Sequence, residues 1–491
     1  MSAAMEKRWL TANALHAALD ALLAAGGRMQ MAYAWYPAPG TIEVRYLAAP
    51  GAGQPFQWWC CNPADHVLPS LAARAPLLGW YEREIGDLYG VRFEGHPEPY
   101  PLVVDGWTGM APLAGVRQLQ SSLRAPLNLP EVSGEDVQLL SFGPVRAGVL
   151  ESAQFLYFYL GEAILHYQPR LFFKHRGMES AFEGRDPQTA ATVAERVSGV
   201  GSVAHALAYC QAVEAAAGCV VPPRAELLRA VLAELERLYN HLHYFGHLAD
   251  TTTLKVGHAE GVLLAERAKQ INARLTGSRF LRNLLAPGGL RRDLDVPHDF
   301  LHTLYLLRRQ VRNYLVQLER TTSYLDRLIT TGVLTREVAF DQGATGPVER
   351  GSGLDRDLRR DHPYAAYARH APVVPLAQEG DAYARAKVRA AELRASFDLL
   401  DALVPSLQPG PVRAPCRAAP GSEGLGWAES PRGSLFYAVH VGTDGRLARV
   451  KIKSPSFSNW RAFPFTVHHT NMMDYAINEA SFGLTIAGCD R

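Results

Sequence analysis

The stretch PPRAELLRAVLAELERLYNHLHYFGHL at residues 222–248 indicates the fold class of the larger part of this chain. Its apolar residues recur every three or four positions, the spacing that places them on one face of an α-helix. Pro222 and Pro223 stand where the helix would begin, and proline is favoured there because its missing N–H is not needed in the first turn. We therefore predict a long helix within a helix-dominated domain.

A second helix is predicted just upstream, in RVSGVGSVAHALAYCQAVE at residues 196–214. A turn with two glycines leads into an Ala-rich helical segment that carries His205. The turn resembles the start of a metal-binding helix, but Ser198 and Gly201 occupy the places where thiol ligands would be expected. The sequence thus suggests the frame of a metal site without its ligands.

Helical periodicity extends on both sides of these segments. It covers three blocks, at residues 190–282, 298–330 and 381–404. Alternating apolar and polar residues predict strands around them: a β-meander within 139–167 that turns at Gly161, and short strands in SLFYAVHV (434–441) and ARVKIKS (448–454). We therefore expect a helical centre with strands at both ends.

The first hundred residues have an α+β pattern. They predict an opening amphipathic helix that ends at Gly26 and Gly27, a hairpin in RMQMAYAWYPAPGTIEVRYLAAP (28–50), a strand in FQWWCCN (56–62) and helices that stop at Gly90. From about residue 105 the periodicity is lost among Gly, Pro and Ser, which indicates a linker. The fold class is therefore predicted to be α+β, with a domain at 1–104, a linker at 105–138 and a larger domain at 139–491.

The composition excludes several classes of protein. With 491 residues, 48% of them hydrophobic, the chain is long enough for two domains with cores of their own. The formal net charge is only +2 and the basic residues are dispersed, so no nucleic-acid partner is predicted. No uncharged apolar window of about 18 residues occurs and the opening residues lack the form of a signal peptide, so we expect any membrane attachment to come through partner subunits.

Six cysteines are spread over the chain, at positions 60, 61, 210, 219, 416 and 489. None forms a CxxC pair, the usual spacing of zinc and iron–sulfur ligands. Cys60 and Cys61 are adjacent, and a disulfide between neighbours in sequence is strained. We therefore expect six reduced thiols in a cytoplasmic protein.

Several charged stretches are unusual for plain scaffolding. They are WYEREIGDLYGVRFEGHPEPYPL (80–102), LFFKHRGMESAFEGRDP (171–187), APGGLRRDL (286–294) and LRRDHPYAAY (358–367). Charges beside core-like residues need partners when they are buried. Taken singly, each stretch is better explained as a salt-bridged loop than as a site.

In this order, however, the motifs resemble one lineage. Residues 80–102 are similar to the signature of the 30-kilodalton subunit of respiratory complex I. Residues 141–491 resemble the complex I 49-kilodalton subunit and its relative, the large subunit of nickel–iron hydrogenases, and the fusion of both resembles group 4 membrane-bound hydrogenases of the formate hydrogenlyase type. The matching motifs of the larger part are GPV (143–145), RLFFKHRGME (170–179), VPPRAELLRAVLAELERL (221–238), GGLRRDL (288–294), RDLRRDHPY (356–364), ESPRG (429–433) and SFGLTIAGCDR (481–491).

The resemblance to hydrogenases implies a nickel–iron centre held by four thiolates from two CxxC motifs, since soft sulfur ligands suit these metals. The four positions hold Ser198, Gly201, Thr485 and Gly488 in this chain, and Cys489 lies one residue out of place. A hydroxyl is a hard, weak ligand, and glycine has no side chain to offer. We therefore predict that the chain binds no nickel–iron centre and no other cofactor of its own, and performs no hydrogen chemistry at this position.

The resemblance to complex I implies a quinone pocket with a histidine on the meander and a tyrosine near the first motif. These positions hold Leu150 and Gly199, whose side chains cannot hydrogen-bond a quinone headgroup. Asp250 matches, within one residue, an acidic group of that pocket. A quinone therefore remains a possible ligand, with Asp250 as its candidate contact.

Three histidines precede Asp250 in the predicted long helix, at positions 241, 243 and 247. His241 and His247 are expected nearly on one face of the helix. Histidines titrate near neutral pH, so the group suggests a proton relay, and polar contacts at a subunit interface are the alternative.

The resemblance also assigns roles to charged residues around the expected metal position. Glu179 matches the proton-transfer carboxylate of hydrogenases, and Arg359, with Asp361 nearby, matches the arginine above the metals. A carboxyl desolvated among arginines can hold or pass a proton, and a structural ion pair is the alternative. The helix that begins near Gly201 is expected to favour an anion at its N-terminus. Three residues are expected to face an iron–sulfur partner subunit, namely His175, Arg176 and His205.

The implied function is that of a subunit in the cytoplasmic arm of an ion-translocating oxidoreductase complex on the inner face of the cell membrane. The implied partners are a small subunit with an iron–sulfur cluster and antiporter-like membrane subunits. NAD and quinone binding are implied by kinship alone, since no GxGxxG motif follows a predicted strand. Three alternatives stay open: a redox-active cavity that reduces a quinone or another acceptor, a non-catalytic coupling subunit, and a hydrogenase that binds nickel through unusual ligands.

Overall fold

The computed structural model describes residues 6–38, 40–104, 111–113, 132, 134, 136–146, 151–468 and 470–491. Helices and strands alternate in the first part of this range, and helices dominate the second part, with small sheets around them. The predicted α+β class is therefore confirmed. Most of the expected linker at 105–138 lies outside the described residues, and the domain boundaries stay predictions.

The N-terminal part is built on a four-stranded sheet with the order β1-β4-β3-β2. The predicted hairpin is confirmed as β2 and β3, and the helix that stops at Gly90 as α2, with Gly90 in the left-handed conformation (φ 74°). The elements are β1 (Glu6–Trp9), α1 (Leu15–Ala24), β2 (Arg28–Ala38), β3 (Thr41–Ala49), β4 (Gln57–Cys61), β5 (Val67–Pro69), α2 (Gly79–Tyr89) and β6 (Arg92–Glu94).

The opening helix is shorter than predicted. Helix α1 begins only at Leu15, because the preceding Glu6–Trp9 pairs in parallel with β4. This pairing joins residues about fifty positions apart in sequence, so the local amphipathic pattern could not reveal it. The predicted end of the helix is correct, since Gly26 takes a positive φ of 76° just after α1.

The larger part contains three further sheets and most of the helices. The predicted meander is confirmed as β7 (Gln138–Phe142), β8 (Gln154–Leu160) and β9 (Ala163–Arg170). The two predicted short strands are confirmed as β13 (Gly433–Val441) and β14 (Leu447–Lys453), which form a sheet with β12 (Glu423–Ser430) in the order β12-β13-β14. The other strands are β10 (Leu285–Ala286) and β11 (Gly289–Leu290).

The three predicted blocks are helical, but helices also occur outside them, at 336–361 and 455–490, where none was predicted. The following helices are described in this part of the chain. They are α3 (Ala191–Ala194), α4 (Ser202–Ala217), α5 (Pro223–Thr251), α6 (Lys255–Thr276), α7 (Phe300–Arg320), α8 (Thr322–Leu328), α9 (Arg336–Asp341), α10 (Pro347–Gly351), α11 (Leu358–Asp361), α12 (Ala382–Leu403), α13 (Pro455–Ala462), α14 (Pro464–Val467), α15 (Tyr475–Phe482) and α16 (Ile486–Asp490). None of the helices in the described part of the chain is both long and apolar enough to cross a membrane.

Helix α5 is the centre of the larger part. It is 29 residues long, starts at Pro223 as the sequence predicted, and is buried on all sides over most of its length. Helix α6 runs beside it, and α12 and α15 pack on other sides. A helix buried all round needs partners for its charged residues, and these determine the chemistry of the interior.

Helix α4 lies directly on β12 because two glycines leave room for its backbone. A Cβ atom at Gly424 would overlap the carbonyl oxygen of Ala212, and one at Gly426 would overlap that of Ala208. Neither glycine has a positive φ, so close approach is the reason that glycine is needed here. This contact sets the position of the N-terminus of α4.

Buried ion pairs join the two parts of the chain. Arg28 on β2 lies 3.1 Å from Glu349 on α10. Glu84 on α2 lies 2.7 Å from Lys451 on β14 and 2.9 Å from Arg491. These contacts hold α2 against the residues that end the larger part.

The close contact at Gly426 predicts that adding one methyl group there destabilises the protein. Gly426→Ala should lower the free energy of unfolding by at least about 2 kcal/mol, because the added Cβ pushes α4 away from β12. Gly410→Ala is the matched control, since a Cβ atom there meets nothing within 4 Å. Thermal unfolding of both variants measures the difference, and equal melting temperatures would contradict the contact.

Candidate functional site

The four positions implied for metal ligands converge on one cavity. Ser198, Gly201, Thr485 and Gly488 all line a space of about 20 Å³. A Cβ atom at Gly488 would lie 3.6 Å from the hydroxyl oxygen of Ser198, although the two residues are far apart in sequence. Eight further residues complete the wall, namely Val200, His205, Ser430, Pro431, Arg432, Ser454, Pro455 and Ser456. We call this space the central cavity.

Two helix starts bring the four positions together. Gly201 precedes α4, and its N–H donates to the carbonyl of Ser198, which closes the preceding turn (3.0 Å). Thr485 caps α16, and its hydroxyl accepts from the N–H of Gly488 (3.2 Å). Each helix start therefore presents one predicted pair of positions to the cavity.

Arg176 ties the two helix starts to each other. Its guanidinium donates to the carbonyls of Arg196 (3.1 Å) and Val197 (2.6 Å), just before the first pair, and to that of Ala487 (3.0 Å), inside the second pair. Its backbone N–H also donates to the carbonyl of Arg491 (2.9 Å). Arg176 was expected to face a partner subunit; in this structure its donors are used within the chain.

Two carboxylates missed by the sequence analysis cap these helix starts. Glu236 on α5 accepts from the N–H groups of Val203 (2.7 Å) and Ala204 (3.0 Å), in the first turn of α4. Glu151 accepts from the N–H groups of Ile486 (2.5 Å) and Ala487, in the first turn of α16. The carboxyl of Glu236 thus occupies the place at the start of α4 where an anion was expected. Burial raises the pKa of Glu236 to about 7.

The polar side chains around the central cavity are hydroxyls, one neutral imidazole and the guanidinium of Arg432. The hydroxyls of Ser456 and Thr485 lie 3.1 Å apart. Nδ1 of His205 lies 2.8 Å from the hydroxyl of Tyr437, and burial lowers the pKa of His205 to about 3, so the ring is uncharged at neutral pH. A volume of about 20 Å³ admits about one water molecule.

This set of donors does not fit a nickel–iron centre. Serine and threonine hydroxyls are hard ligands, while nickel and iron in thiolate sites require soft sulfur. The nearest thiol, Cys489, is fully buried, and burial raises its pKa well above the usual value, so it stays protonated. Among the residues that the structure describes, no three His, Cys, Asp or Glu side chains are grouped to hold a metal ion.

Glu179 lies outside the central cavity, in a cluster of cations. Its carboxylate lies 2.6 Å from Arg449, 3.1 Å from Lys451 and 3.2 Å from Arg491. Burial alone would raise the pKa of Glu179, but Lys451 and the two arginines outweigh it and hold the pKa far below its ordinary value. A carboxylate that stays ionised at neutral pH is a poor proton carrier, so this geometry favours the ion-pair alternative for Glu179.

A larger cavity of about 440 Å³ lies beside Glu179. We call it the side cavity. His175 lines it and donates from Nδ1 to the carbonyl of Asp490 (2.7 Å). The other residues of its wall are Glu84, Leu88, Val103, Val104, Pro112, Leu113, Phe172, Gly177, Ser180 and Arg491.

The structure places Arg359 and Asp361 away from the central cavity. Arg359 is fully buried, where its guanidinium bonds Asp357 (2.7 Å) and Glu234 (3.1 Å). Asp361 pairs with the neighbouring Arg360 (2.7 Å). The arginine that lines the central cavity is Arg432, and the ESPRG motif that contains it was the signal that could have identified it.

Arg432 is held from two sides. Its guanidinium donates to the side-chain oxygen of Asn240 (2.7 Å) and to the carbonyl of Gly483 (2.8 Å). No carboxylate lies within ion-pair distance of Arg432 among the described residues. Burial lowers its pKa to about 10, so it remains charged at neutral pH.

The quinone-pocket candidates do not gather at the central cavity. Asp250, at the end of α5, pairs with Lys255 (2.6 Å) and is not among the residues that line the cavity. Gly199 lies exposed in the turn before α4, and Leu150 lies outside the described residues.

The histidines of α5 point in different directions. His241 is buried and donates to Glu392 (2.6 Å), whereas His243 and His247 are exposed. The expectation that His241 and His247 share a face is therefore wrong: six residues at about 100° each place them about 120° apart around the helix.

Loss of the Arg176 guanidinium should loosen both helix starts together. Arg176→Ala should speed amide hydrogen exchange at residues 196–201 and 485–490 and lower the free energy of unfolding by about 1–2 kcal/mol. Arg185→Ala is the matched control, because this exposed arginine donates to the carbonyl of Ala181 in its own segment. If only one of the two helix starts exchanged faster in Arg176→Ala, the cross-link would be refuted.

Four thiols at the converging positions should create a metal site. The variant with Ser198→Cys, Gly201→Cys, Thr485→Cys and Gly488→Cys should bind Co²⁺ with the intense charge-transfer absorption of tetrahedral thiolate coordination. The control carries only Ser198→Cys and Gly201→Cys, and should bind much more weakly. Equal Co²⁺ affinity of the two variants, measured by titration, would show that the four positions do not share one point.

Comparison with known proteins finds three family models that match along the chain. Residues 28–120 match the family described as respiratory-chain NADH dehydrogenase, 30 Kd subunit. Residues 176–271 match nickel-dependent hydrogenase, and residues 262–419 and 416–491 match respiratory-chain NADH dehydrogenase, 49 Kd subunit.

Three similar proteins span both groups. Formate hydrogenlyase subunit 5 of Escherichia coli is 31% identical over 420 residues, which cover 83% of this chain and 74% of the relative. The NADH-quinone oxidoreductase C/D subunit of Cereibacter sphaeroides is 27% identical over 483 residues (87% and 82%). NADH-quinone oxidoreductase subunit 4 of Thermus thermophilus is 30% identical over 406 residues (74% and 98%). The chain therefore belongs to the family that unites these NADH-quinone oxidoreductase subunits with the large subunits of formate hydrogenlyase-type hydrogenases.

Proposed function

We propose that this chain is a subunit of the cytoplasmic arm of a membrane-associated, complex I-like oxidoreductase complex, and that it acts there without a nickel–iron centre. The observation that carries the proposal is the convergence of Ser198, Gly201, Thr485 and Gly488 on one cavity. Under this proposal, the cavity corresponds to the family's metal site, with side chains at the four positions that are hydroxyls or absent. Electron transfer through the complex then depends on cofactors held by other subunits.

The role that the geometry of the central cavity supports best is coupling rather than catalysis. The cavity admits about one water molecule, which is far smaller than the roughly 300–1,000 Å³ typical of a site for an organic ligand. His205 is neutral, and Lys451 with two arginines keeps Glu179 ionised at neutral pH, so neither residue is suited to pass protons to or from the cavity. Arg176 joins the segment before α4 to the segment that begins α16. Two segments linked in this way can transmit a movement from one partner subunit to another.

The partners follow from the names of the relatives. Formate hydrogenlyase, hydrogenase-4 and NADH-quinone oxidoreductase are all named as assemblies of several subunits. We propose that a small subunit carrying an iron–sulfur cluster docks on this chain and that antiporter-like membrane subunits attach it to the inner face of the membrane. The ion-translocating step would belong to those membrane subunits.

A second candidate function, reduction of a quinone or another small acceptor, is favoured by the side cavity. Its volume of about 440 Å³ is within the range of ligand sites, and Leu88, Val103 and Phe172 supply apolar walls. His175 and Arg491 supply polar groups in the same wall. An acceptor site would therefore lie there rather than in the central cavity.

The two candidates predict different effects of filling the side cavity. In the purified complex, Ser180→Trp should leave the rate of acceptor reduction unchanged if the chain is a coupling subunit, because Ser180 lies at the edge of this cavity alone. Ser180→Ala is the matched control. A large loss of acceptor reduction in Ser180→Trp but not in Ser180→Ala would favour the acceptor site and contradict the coupling role.

Removing the Arg176 cross-link should instead uncouple ion transport from electron transfer. We expect Arg176→Ala to lower the number of ions moved per electron while acceptor reduction continues, and Arg185→Ala to change neither. Elemental analysis of the same preparations should find nickel far below one atom per chain. Stoichiometric nickel bound by this chain would overturn the proposed function.

A further inference from the structure

A third cavity lies where β2 of the N-terminal sheet meets the segment from 344 to 362. It has a volume of about 210 Å³, many times what one water molecule needs, and most of the residues in its wall are polar or charged. The proposed function makes no use of it. We call it the polar cavity.

The polar cavity extends from the surface to the interior. Asp355, Arg360 and Asp361 line its mouth, where Asp355 and Arg360 reach solvent. Lys453 and Glu429 line its floor, and each is only 3% exposed. Water in this space would join solvent to two buried ionisable groups.

Glu429 continues from the floor into a buried network around α5. Its carboxyl lies 3.1 Å from Arg350, Arg350 also bonds Glu392, and Glu392 accepts from His241 (2.6 Å). Arg237 lies 3.3 Å from Glu392. These are continuous contacts between charged or polar groups from the cavity floor to the centre of the larger part.

The charges of this network do not balance if every carboxyl is ionised. It contains three arginines, at positions 237, 350 and 359, and four carboxyl groups, at positions 234, 357, 392 and 429. His241 adds no positive charge, because burial lowers its pKa to about 4. An uncompensated buried charge is costly. A charged Lys453 beside Glu429 would balance the fourth carboxylate, but burial lowers the pKa of Lys453 to about 7, so the contacts of the network favour a proton on one of the four carboxyls.

The contacts identify Glu429 as that carboxyl. Asp357 and Glu234 each accept from Arg359, and Glu234 also accepts from Tyr367 (2.6 Å) and from Ser396. Glu392 contacts two arginines and His241. Glu429 contacts Arg350 and, at 3.4 Å, the N–H of Leu358. It has the weakest set of donors of the four.

The groups facing Glu429 act in both directions. Burial, then Asp357 and Glu349, disfavour its ionised form, while Arg350 and Arg359 favour it; the net effect raises the pKa of Glu429 to about 8. Lys453, on β14, shares the cavity floor, and its ammonium donates to the neutral side-chain oxygens of Gln30 (2.8 Å) and Ser434.

Burial, then Arg28, lowers the pKa of Lys453 to about 7. Arg28 itself is paired with Glu349. The floor of the polar cavity therefore holds two groups that gain or lose a proton close to neutral pH.

Glu429 lies between the polar cavity and the central cavity. Glu429 and Ser430 are the last residues of β12, and Ser430, Pro431 and Arg432 line the central cavity. Arg237 donates to the carbonyl oxygens of both Glu429 and Ser430 (2.7 and 3.3 Å). The end of β12 is thus a thin wall between the polar cavity and the central cavity.

We propose that the polar cavity is a route by which protons from solvent reach Glu429, and that Glu429 is a proton-binding site of the interior beside the central cavity. The ligand is a proton, delivered by water in the cavity, and no covalent bond in the chain changes other than the O–H bond of this carboxyl. The proposal stands whether the chain acts as a coupling subunit or contains an acceptor site.

Infrared spectroscopy of the assembled complex tests the site directly. The carbonyl stretch of a protonated carboxyl should decrease in the wild type as pH rises through about 8, and Glu429→Gln should remove that component. Glu82→Gln and Glu236→Gln are the controls, because burial raises the pKa of each of these carboxyls to about 7 and each should remove a different component. If the component that titrates near pH 8 survives in Glu429→Gln, the proposal fails.

A larger side chain at a surface residue tests the route, because it narrows the mouth of the polar cavity without changing any buried residue. Ala52 is exposed and lines the polar cavity. Ala52→Trp should slow the H₂O-to-D₂O shift of the Glu429 component severalfold without slowing that of Glu82, and Ala52→Ser should slow neither. An unchanged rate in Ala52→Trp would show that the proton does not enter through this cavity.

Stability gives an independent readout with a definite sign. The raised pKa of Glu429 stabilises the fold below its unfolded pKa of about 4.3, and this stabilisation is lost as pH rises through about 8. The melting temperature of the wild type should therefore fall more between pH 6 and pH 9 than that of Glu429→Gln. Equal falls in the two proteins would mean that Glu429 is ionised throughout and binds no proton in this range.

Discussion

The structure depends on the compensation of buried charge around α5. This helix carries Glu234, Arg237 and His241 into a region without solvent, and their partners come from α10, α11, α12 and the end of β12. Removing any one partner would leave an ion stranded in a medium that solvates it poorly, at a cost of several kcal/mol. Elements that are distant in sequence are therefore fixed relative to one another by the requirement that each charge find its counterion or a proton.

The same logic explains how the central frame holds its shape with these side chains. In a metal site, the ions would link the segment before α4 to the segment before α16. In this chain, the Arg176 guanidinium makes that link, and Glu236 and Glu151 satisfy the free N–H groups of the two helix starts. Side chains of this chain thus hold the two segments together and satisfy their free N–H groups. The four positions therefore lie close together.

The three cavities differ in what their walls can do. The central cavity is small and lined by hydroxyls and Arg432, the side cavity has apolar walls beside the ionised Glu179, and the wall of the polar cavity consists mostly of polar and charged residues. The side and polar cavities both lie where the N-terminal part meets the larger part. Packing of the two parts against each other therefore creates environments that neither part would form alone.

The sequence by itself determined the local elements and singled out four positions predicted to replace metal ligands. Periodicity located the hairpin, the meander and α5, because burial of one face repeats every two or every 3.6 residues. The motifs singled out Ser198, Gly201, Thr485 and Gly488, and the structure brings all four to one cavity. Only the tertiary structure decided that β1 precedes α1, that Arg432 rather than Arg359 lines this cavity, and that Glu179 is ionised. Strand pairing and ion pairing join residues tens to hundreds of positions apart, and a buried side chain takes its charge from neighbours that no local pattern reveals.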